Sequence, residues 1–593
     1  MCAKEMKQKI IDVSNHGIVP NTDITLKLSQ LLFKIKGMDD IKLFFPKGVY
    51  QFYKKHAMEA YKNIANHDDG LKRIAFLINN MNSLSIDGDD SLFLFYDEVI
   101  PFAVDKSKNF TIKNVKIDFI MPFHSELEIV TSDPEKKSFI AKINAQRYPY
   151  KIENNKILFK RFEQWVHVGQ NIAFDKNTTA PIYNPPLYET VDYPHAIDLG
   201  NDCVEFSKLG ENIQPIPEGA VWITYGERTL NRHIPAIHVI DSKNIILENM
   251  TVHTAGGMSL IIERTENINL SQYFVTPSND RMVSTRADAT HFMNCKGDIV
   301  VEDCKLDHML DDGINVHGAY VNVDSYVGDN TFVASISHFQ QEGIIFADPG
   351  DKVAFTNKET ISSFFETTVE EVNIINSKVF LIRFAEVPDP IPPFEMTLEN
   401  LTWQPNVVFK NNIIEKNRAR GALLTTKGKV EITGNCFYNQ MHNVLLVGDN
   451  DFWYESSGTK DVTIHNNIFD KVGFSDPDAY PLYVLVKLTK DQKYGEKPYH
   501  GKVSFIENQI NSLNGLFVHG SSIDSLLVSN NSIVSSTNTR DYLSQYPSIN
   551  LNSVNKAVIK NNRSEGFNSE LLVKQSKVSE AVVDKNLGFY STN

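Results

Sequence analysis

Only 5 of the 593 residues are cysteine, at positions 2, 203, 295, 304 and 436, and their spacing matches no disulfide or metal framework. Cys295, Cys304 and Cys436 lie in or beside repeated strands and are expected to be small core residues. Long apolar runs are missing as well. None approaches the ~20 residues of a membrane span, and no apolar leader follows Met1. The polar start Met1-Cys2-Ala-Lys-Glu5 suits a native cytoplasmic start or a trimmed chain; with a leader removed, Cys2 becomes a candidate lipid anchor. Basic residues are outnumbered, 59 Lys and Arg against 73 Asp and Glu, and the net charge of -14 argues against nucleic acid and against a polyanion held in a basic groove. His-Glu-x-x-His, a glycine-rich phosphate loop and a Gly-x-Ser-x-Gly elbow are all absent, and no cofactor or metal is expected.

The chain does have a recurring phrase. Val407-Val-Phe-Lys-Asn411-Asn412-Ile-Ile, Val430-Glu-Ile-Thr-Gly-Asn435-Cys-Phe, Val462-Thr-Ile-His-Asn466-Asn467-Ile-Phe and Leu526-Leu-Val-Ser-Asn530-Asn531-Ser-Ile each give a short alternating strand, a turn at Asn and a second short strand. Similar text surrounds Asn114, Asn249, Asp303, Asn508 and Asn562. From Asn412 to Asn435, and from Asn508 to Asn531, the step is 23 residues, about one coil of a parallel β-helix. Asparagine tolerates left-handed backbone angles, and stacked copies can hydrogen-bond along the column. A β-sandwich would instead need hairpin signals such as Asn-Gly, which are nearly absent from these repeats. With 42% hydrophobic residues, one long solenoid with insertions accounts for the length.

Two stretches break the rhythm. The expected division is an N-terminal cap and first coils over 1–125, a small β-barrel-like module over 126–190, coils over 191–322, a second such module over 323–395 and C-terminal coils over 396–593. Phe52 to Ile78 suggests one or two short helices in the cap, and the second module follows the acidic motif closely enough to wall one side of a cleft.

That motif is Met309-Leu-Asp311-Asp312-Gly313-Ile-Asn315-Val-His317-Gly318, in which two adjacent carboxylates interrupt apolar text before a glycine. Side chains alternate faces along a strand, so both acids can share a site only where the backbone bends, as Gly313 permits. Adjacent carboxylates repel, which raises one pKa and couples their titrations. The plain alternative is an Asp-Gly turn with solvated acids. Coil stacking at about 4.8 Å places Asp288, 23 residues upstream of Asp311, and Arg264, about one further coil back, in a row with the pair. Carboxyls on neighbouring coils could lie roughly 6.5–9.5 Å apart, the separation in inverting glycosidases, with Asp288 as acid and Asp311 with Asp312 as water-activating base. For Asp288 alone, a loop acid paired with Arg286 or Lys296 is as good a reading.

The stretch from Cys295 to Gly318 resembles glycoside hydrolase family 110, the bacterial α-1,3-galactosidases. Further matches are Phe45-Pro-Lys-Gly48, Asn114-Val-Lys-Ile-Asp118-Phe with Pro122-Phe123, Ala422-Leu-Leu-Thr-Thr-Lys427 and Val444-Leu-Leu-Val-Gly-Asp449. The likeness covers most of the chain, with only generic repeat text in about the last hundred residues. It implies a right-handed parallel β-helix of the pectin-lyase-like kind. It also implies an inverting, exo-acting enzyme that removes terminal α-1,3-linked galactose, as in blood group B and linear α-galactosyl epitopes, without a metal. By the same resemblance the acid and base aspartates are Asp288, Asp311 and Asp312.

Candidate galactose ligands beside the aspartates are Glu263, Arg264, His291, Asn315 and His317, since a sugar needs many donors and acceptors. Asn315 and His317 could equally brace the aspartate turn, and His253 suits a turn role as well as a contact. Trp453 and Glu455, in the loop leaving Asp449, could present a ring and an acid to the sugar, although a packed loop anchor is the simpler reading. The alternatives are a polygalacturonase-like hydrolase, which would want Arg and Lys in its groove where the text near Asp311 is acidic, and a non-catalytic glycan-binding solenoid. The expected partner is an oligosaccharide or glycoconjugate with terminal α-galactose. A homodimer is compatible with an exposed flank or module, and the periplasm or cell surface is the expected compartment if a leader is removed.

Overall fold

The computed structural model describes residues 8–191, 193–227, 232–278, 280–536 and 544–592, so Cys2 lies outside the described residues. Short strands stack coil upon coil in parallel. Asn406–Lys410 lies on Lys429–Thr433, which lies on Asp461–His465, which lies on His500–Ile506. Their alternation sets which side chains turn inward: Val407 and Phe409, Val430 and Ile432, Val462 and Ile464, and Val503 and Phe505 are all buried. Each such side chain stabilises the coil by about 1.5–3 kcal/mol relative to exposure. One continuous core runs along the coils, and within it Phe437 stacks flat on Phe469 at 5.1 Å between ring centres.

The Asn-Asn pairs divide the work of the turn. The first residue takes the left-handed angle, as at Asn411, Asn466, Asn530 and Asn561 with φ of 55–57°. The second points inward and builds a ladder. Asn412, Asn435, Asn467, Asn508, Asn531 and Asn562 each hand a side-chain N–H to the side-chain carbonyl oxygen of the next asparagine at 2.9–3.1 Å, and Asn586 ends the ladder as an acceptor. Cys304, which is buried, begins this column by donating its backbone N–H to Asn412. Cys203, Cys295, Cys304 and Cys436 are free thiols.

The N-terminal region departs from expectation. Its helix is Thr25–Ile35, which buries Leu28, Leu31, Leu32 and Ile35 at helical spacing. Phe52 to Ile78 instead carries one 3-10 turn, Lys54–His56, and the antiparallel strands Met58–Lys62 and Gly70–Asn79. The burial pattern of Gly70–Asn79 alternates, and Ile74, Phe76 and Ile78 point into the core as strand residues do.

Two antiparallel units interrupt the coils. The first pairs six strands between Ser125 and Gly226 around its own core, with Leu127, Phe139, Phe206 and Trp222, and carries a separate three-stranded sheet over Tyr150–His167. It extends past the expected boundary at 190 because the apolar strand Ala220–Gly226 pairs with both Gln170–Asp175 and Ser125–Asp133. In the second, the tail of the long strand Ile314–Gly328 pairs with Thr331–Ser335, and the antiparallel ladder continues through Val379–Phe384, Ser362–Ile374, Lys352–Asn357 and Met396–Asn400 back to Ile314–Gly328. The first half of that same strand is a β-helix rung, parallel to Thr290–Met293 and Arg420–Leu424.

Candidate active site

Asp311 and Asp312 occupy the bend between the strands Lys305–Asp307 and Ile314–Gly328. Gly313 serves close approach: a Cβ there would meet the Gly421 carbonyl oxygen at 2.5 Å and the Ile414 side chain at 2.7 Å. The register Thr290 to Ile314 to Ala422 puts Asp288, Asp312 and Arg420 at one position of three successive coils. The backbone confirms this stacking, with Ala289 N–H donating to Asp312 O at 2.9 Å and Gly313 N–H to Arg420 O at 3.0 Å.

Oxygens of Asp288, Asp311 and Asp312 lie within 4.8 Å of one another, and all three residues are buried. Such a trio also has the makings of a cation site, but arginines already meet its charge. Asp311 accepts from Arg232 at 2.6 Å and from Arg418 at 3.3 Å. Asp312 accepts from the Arg420 guanidinium at 2.8 Å and from its backbone N–H at 2.9 Å. Burial and the Asp311 charge push the Asp288 carboxyl up to about 7, against the pull of Arg232 and Arg420. Burial also pushes Asp311 upward, but Arg418, Arg232 and Arg420 outweigh it and hold that carboxyl below its ordinary value. Asp312 moves up through burial and the neighbouring acids, which together exceed the pull of Arg420. The trio therefore divides into one carboxyl held below its ordinary value and two pushed above theirs.

The aspartates floor a cavity of about 220 Å³ walled by Asn66, by Gln170 and Tyr225 of the first antiparallel unit, by Gln340 of the second, and by Trp453 and Glu455. Asn315 lines it too, and its buried side-chain oxygen has no protein partner among the described residues. Asn315, Trp453 and Glu455 thus sit where a ligand could meet them.

Four other candidate ligands do not. Glu263 is buried against His238 Nε2 at 2.9 Å and the Ala65 N–H at 3.2 Å. Arg264 is tied to Asp241 and Asp348, at 2.7 and 2.6 Å, and lies over Trp403. The coil joining Leu260 to Thr290 is longer than 23 residues, so Met258 rather than Arg264 falls beneath Asp288. His291 and His317 lie behind the cavity wall, fully buried: His291 Nδ1 is 2.7 Å from Asp288 Oδ2, and its Nε2 is 2.8 Å from His317 Nε2. Burial and His317 push the His291 imidazole down to about 3. His253 is engaged in a turn, Nδ1 against Thr276 O at 3.0 Å.

The expectation of an acidic, arginine-poor site is also corrected, since Arg232, Arg286, Arg418 and Arg420 all line the cavity. Arg418 and Arg420 belong to the coil directly after Ile314–Gly328, and the intervening antiparallel unit hides that adjacency in the linear text. Shared register brings one oxygen of each acid within 4.8 Å of the others.

Residues 125–221 match the GLAA-B beta-barrel domain I and residues 331–393 the GLAA-B beta-barrel domain II. Among solved structures, a family 28 exopolygalacturonase from Yersinia enterocolitica aligns with 98% of this chain and 78% of its own, at a TM-score of 0.41 and 11% identity. A protein named alpha-1,3-galactosidase B from Bacteroides fragilis is 30% identical over 571 residues, which are 91% of this chain and 94% of that one. One named alpha-1,3-galactosidase A from Shewanella woodyi is 30% identical over 582 residues, 95% of this chain and 92% of that one. By that similarity along nearly its whole length, the chain belongs to the α-1,3-galactosidase family, glycoside hydrolase family 110.

Proposed function

We propose that this protein is an exo-acting hydrolase that releases terminal α-1,3-linked galactose from host-type glycans, of the blood group B or linear α-galactosyl kind, with inversion at the anomeric carbon. The observation that carries the reading is the trio of carboxyls within 4.8 Å on the floor of a cavity of about 220 Å³. That volume lies below the ~300–1,000 Å³ of larger ligand pockets and suits a single terminal sugar better than a running chain. The unpartnered Asn315 oxygen is an acceptor for a sugar hydroxyl. The relatives' names give the linkage and the sugar. In this reading the two antiparallel units are small barrels that wall the subsite on a right-handed β-helix, and the enzyme works outside the cell.

Asp288, which holds a proton near neutral pH, protonates the glycosidic oxygen. Asp311, kept ionised by Arg232 and Arg418, takes a proton from a water that Asp312 helps to orient. Both oxygens of Asp311 and both of Asp312 are held by arginine donors, which suits gripping a water better than attacking carbon. A second reading, retention through a glycosyl-enzyme, also fits oxygens within 4.8 Å of one another. The test uses an α-1,3-linked galactose disaccharide. Asp311→Asn and Asp312→Asn should each lower turnover by at least 10³-fold with the fold intact, and proton NMR should show β-galactose as the first product. Near wild-type turnover in both variants refutes the catalytic reading, and α-galactose as first product establishes retention.

A further inference from the structure

Behind Asp288 runs a chain of buried hydrogen bonds that the hydrolytic reading does not use. Asp288 Oδ2 is 2.7 Å from His291 Nδ1, His291 Nε2 is 2.8 Å from His317 Nε2, and His317 Nδ1 is 2.7 Å from the Gly318 carbonyl oxygen. A carbonyl only accepts, so Nδ1 of His317 must carry a hydrogen. Each of the other two contacts needs one proton between its partners, and the chain therefore holds three protons with no net charge. With both imidazoles neutral, the carboxyl proton lies on Oδ2 and points at His291, away from the cavity.

A fourth proton can enter without breaking any contact. It binds Oδ1 of Asp288, the Oδ2 proton moves to His291 Nδ1, and the His291 Nε2 proton moves to His317 Nε2. The positive charge then rests on His317, whose Nε2 is 3.7 Å from Glu455. When Oδ1 gives its proton away, both shifts reverse and the chain returns to neutrality. Proton and charge balance at each step, and no carboxylate is left beside Asp311.

We propose that His291 and His317 are positioning residues that form a proton relay for Asp288, moving the charge of its protonation cycle two groups away from the acidic trio. The inference rests on the assignment of Asp288 as the acid. The charged and titratable groups facing the chain are Asp311, Asp312, Arg232 and Arg420 at Asp288, and Glu263 and Glu455 at the imidazoles. Burial of His291 and His317 at 0% and 2% exposure keeps bulk water from replacing the relay. The fall of the His291 imidazole to about 3 is consistent with its neutral resting form.

The experiment measures kcat and KM against pH for the wild type, Asp288→Asn, His317→Gln and His317→Leu on an α-1,3-linked galactose disaccharide. A glutamine amide keeps an N–H for Gly318 O and an oxygen that accepts from His291 Nε2–H, but it cannot carry the charge. Proton donation in that variant would leave a carboxylate next to Asp311, so Asp288 should hold its proton more tightly. His317→Gln should therefore move the alkaline limb of kcat upward by at least one pH unit and lower kcat at the wild-type optimum at least tenfold, with KM within twofold. His317→Leu should lose more than His317→Gln. An unmoved limb in His317→Gln, with Asp288→Asn inactive, overturns the relay and leaves the acid assignment standing; an active Asp288→Asn overturns the acid assignment itself. Imidazole nitrogen NMR of the wild type checks the chain without turnover: His317 must be protonated at Nδ1 from pH 5 to 9, and an unprotonated Nδ1 refutes the relay.

Discussion

Replacing Asp288 by asparagine should destroy activity and yet stabilise the protein in mild alkali. Burial and the Asp311 charge raise the Asp288 carboxyl from 3.8 to about 7, and such a group favours the folded state only while it is protonated. Its contribution is complete below pH 3.8 and is lost progressively as pH rises through 7. The gap of about three pH units, at about 1.4 kcal/mol per unit, amounts to roughly 4 kcal/mol at pH 8 and to about half a kcal/mol at pH 4. Asparagine has the shape of the protonated acid, and its N–H can replace the carboxyl proton facing His291 Nδ1. For a chain of 593 residues, unfolding entropy of about 2.1 cal/mol/K per residue converts roughly 4 kcal/mol into a rise of about 3 °C in Tm. Thermal unfolding of Asp288→Asn beside the wild type at pH 4 and pH 8 reads this directly. A variant that melts below the wild type at pH 8, or a difference that does not widen with pH, refutes the reasoning.

The asparagine ladder and the displaced arginine give two further tests. Asn467→Ala removes the acceptor of the Asn435 backbone and side-chain N–H groups and the donor to Ile432 O, all in the buried column, so denaturant unfolding should show a loss of about 4 kcal/mol, at about 1–3 kcal/mol per orphaned group; the half-buried terminal position, Asn586→Ala, should lose less than half of that. Arg264→Met breaks ties to Asp241 and Asp348 outside the cavity and should lower stability by about 2–3 kcal/mol while kcat/KM stays within twofold.

The scaffold was legible where local chemistry repeats. Asn-Asn pairs announce both a left-handed turn and a ladder, and alternating apolar residues fix which face turns inward. The acidic trio was legible because Asp311 and Asp312 interrupt apolar text before a glycine. The arginines escaped because Arg418-Ala-Arg420 becomes a neighbour of Asp312 only after a whole antiparallel unit is looped out. Arg264 and Glu263 were misplaced by assuming a uniform coil length, an error of several residues along the rung that moves a side chain from the cavity to another contact. His291 and His317 were near enough to the aspartates to be noticed, but proximity along a strand does not distinguish a cavity wall from the layer behind it. The helices expected over Phe52 to Ile78 gave way because Ile74, Phe76 and Ile78 find partners in the solenoid core as a strand.

The strand Ile314–Gly328 leaves the aspartate bend as a rung and ends in the cycle of strands that carries Gln340 to the cavity wall. A cut between residues 322 and 323 would sever it in mid-course. The aspartate bend and the unit that carries Gln340 are therefore joined by one continuous strand. Transplanting that unit between relatives would carry the register of Asp311 and Asp312 with it, and a change of preferred glycan is more simply reached by editing the tips around Gln340 and Trp453.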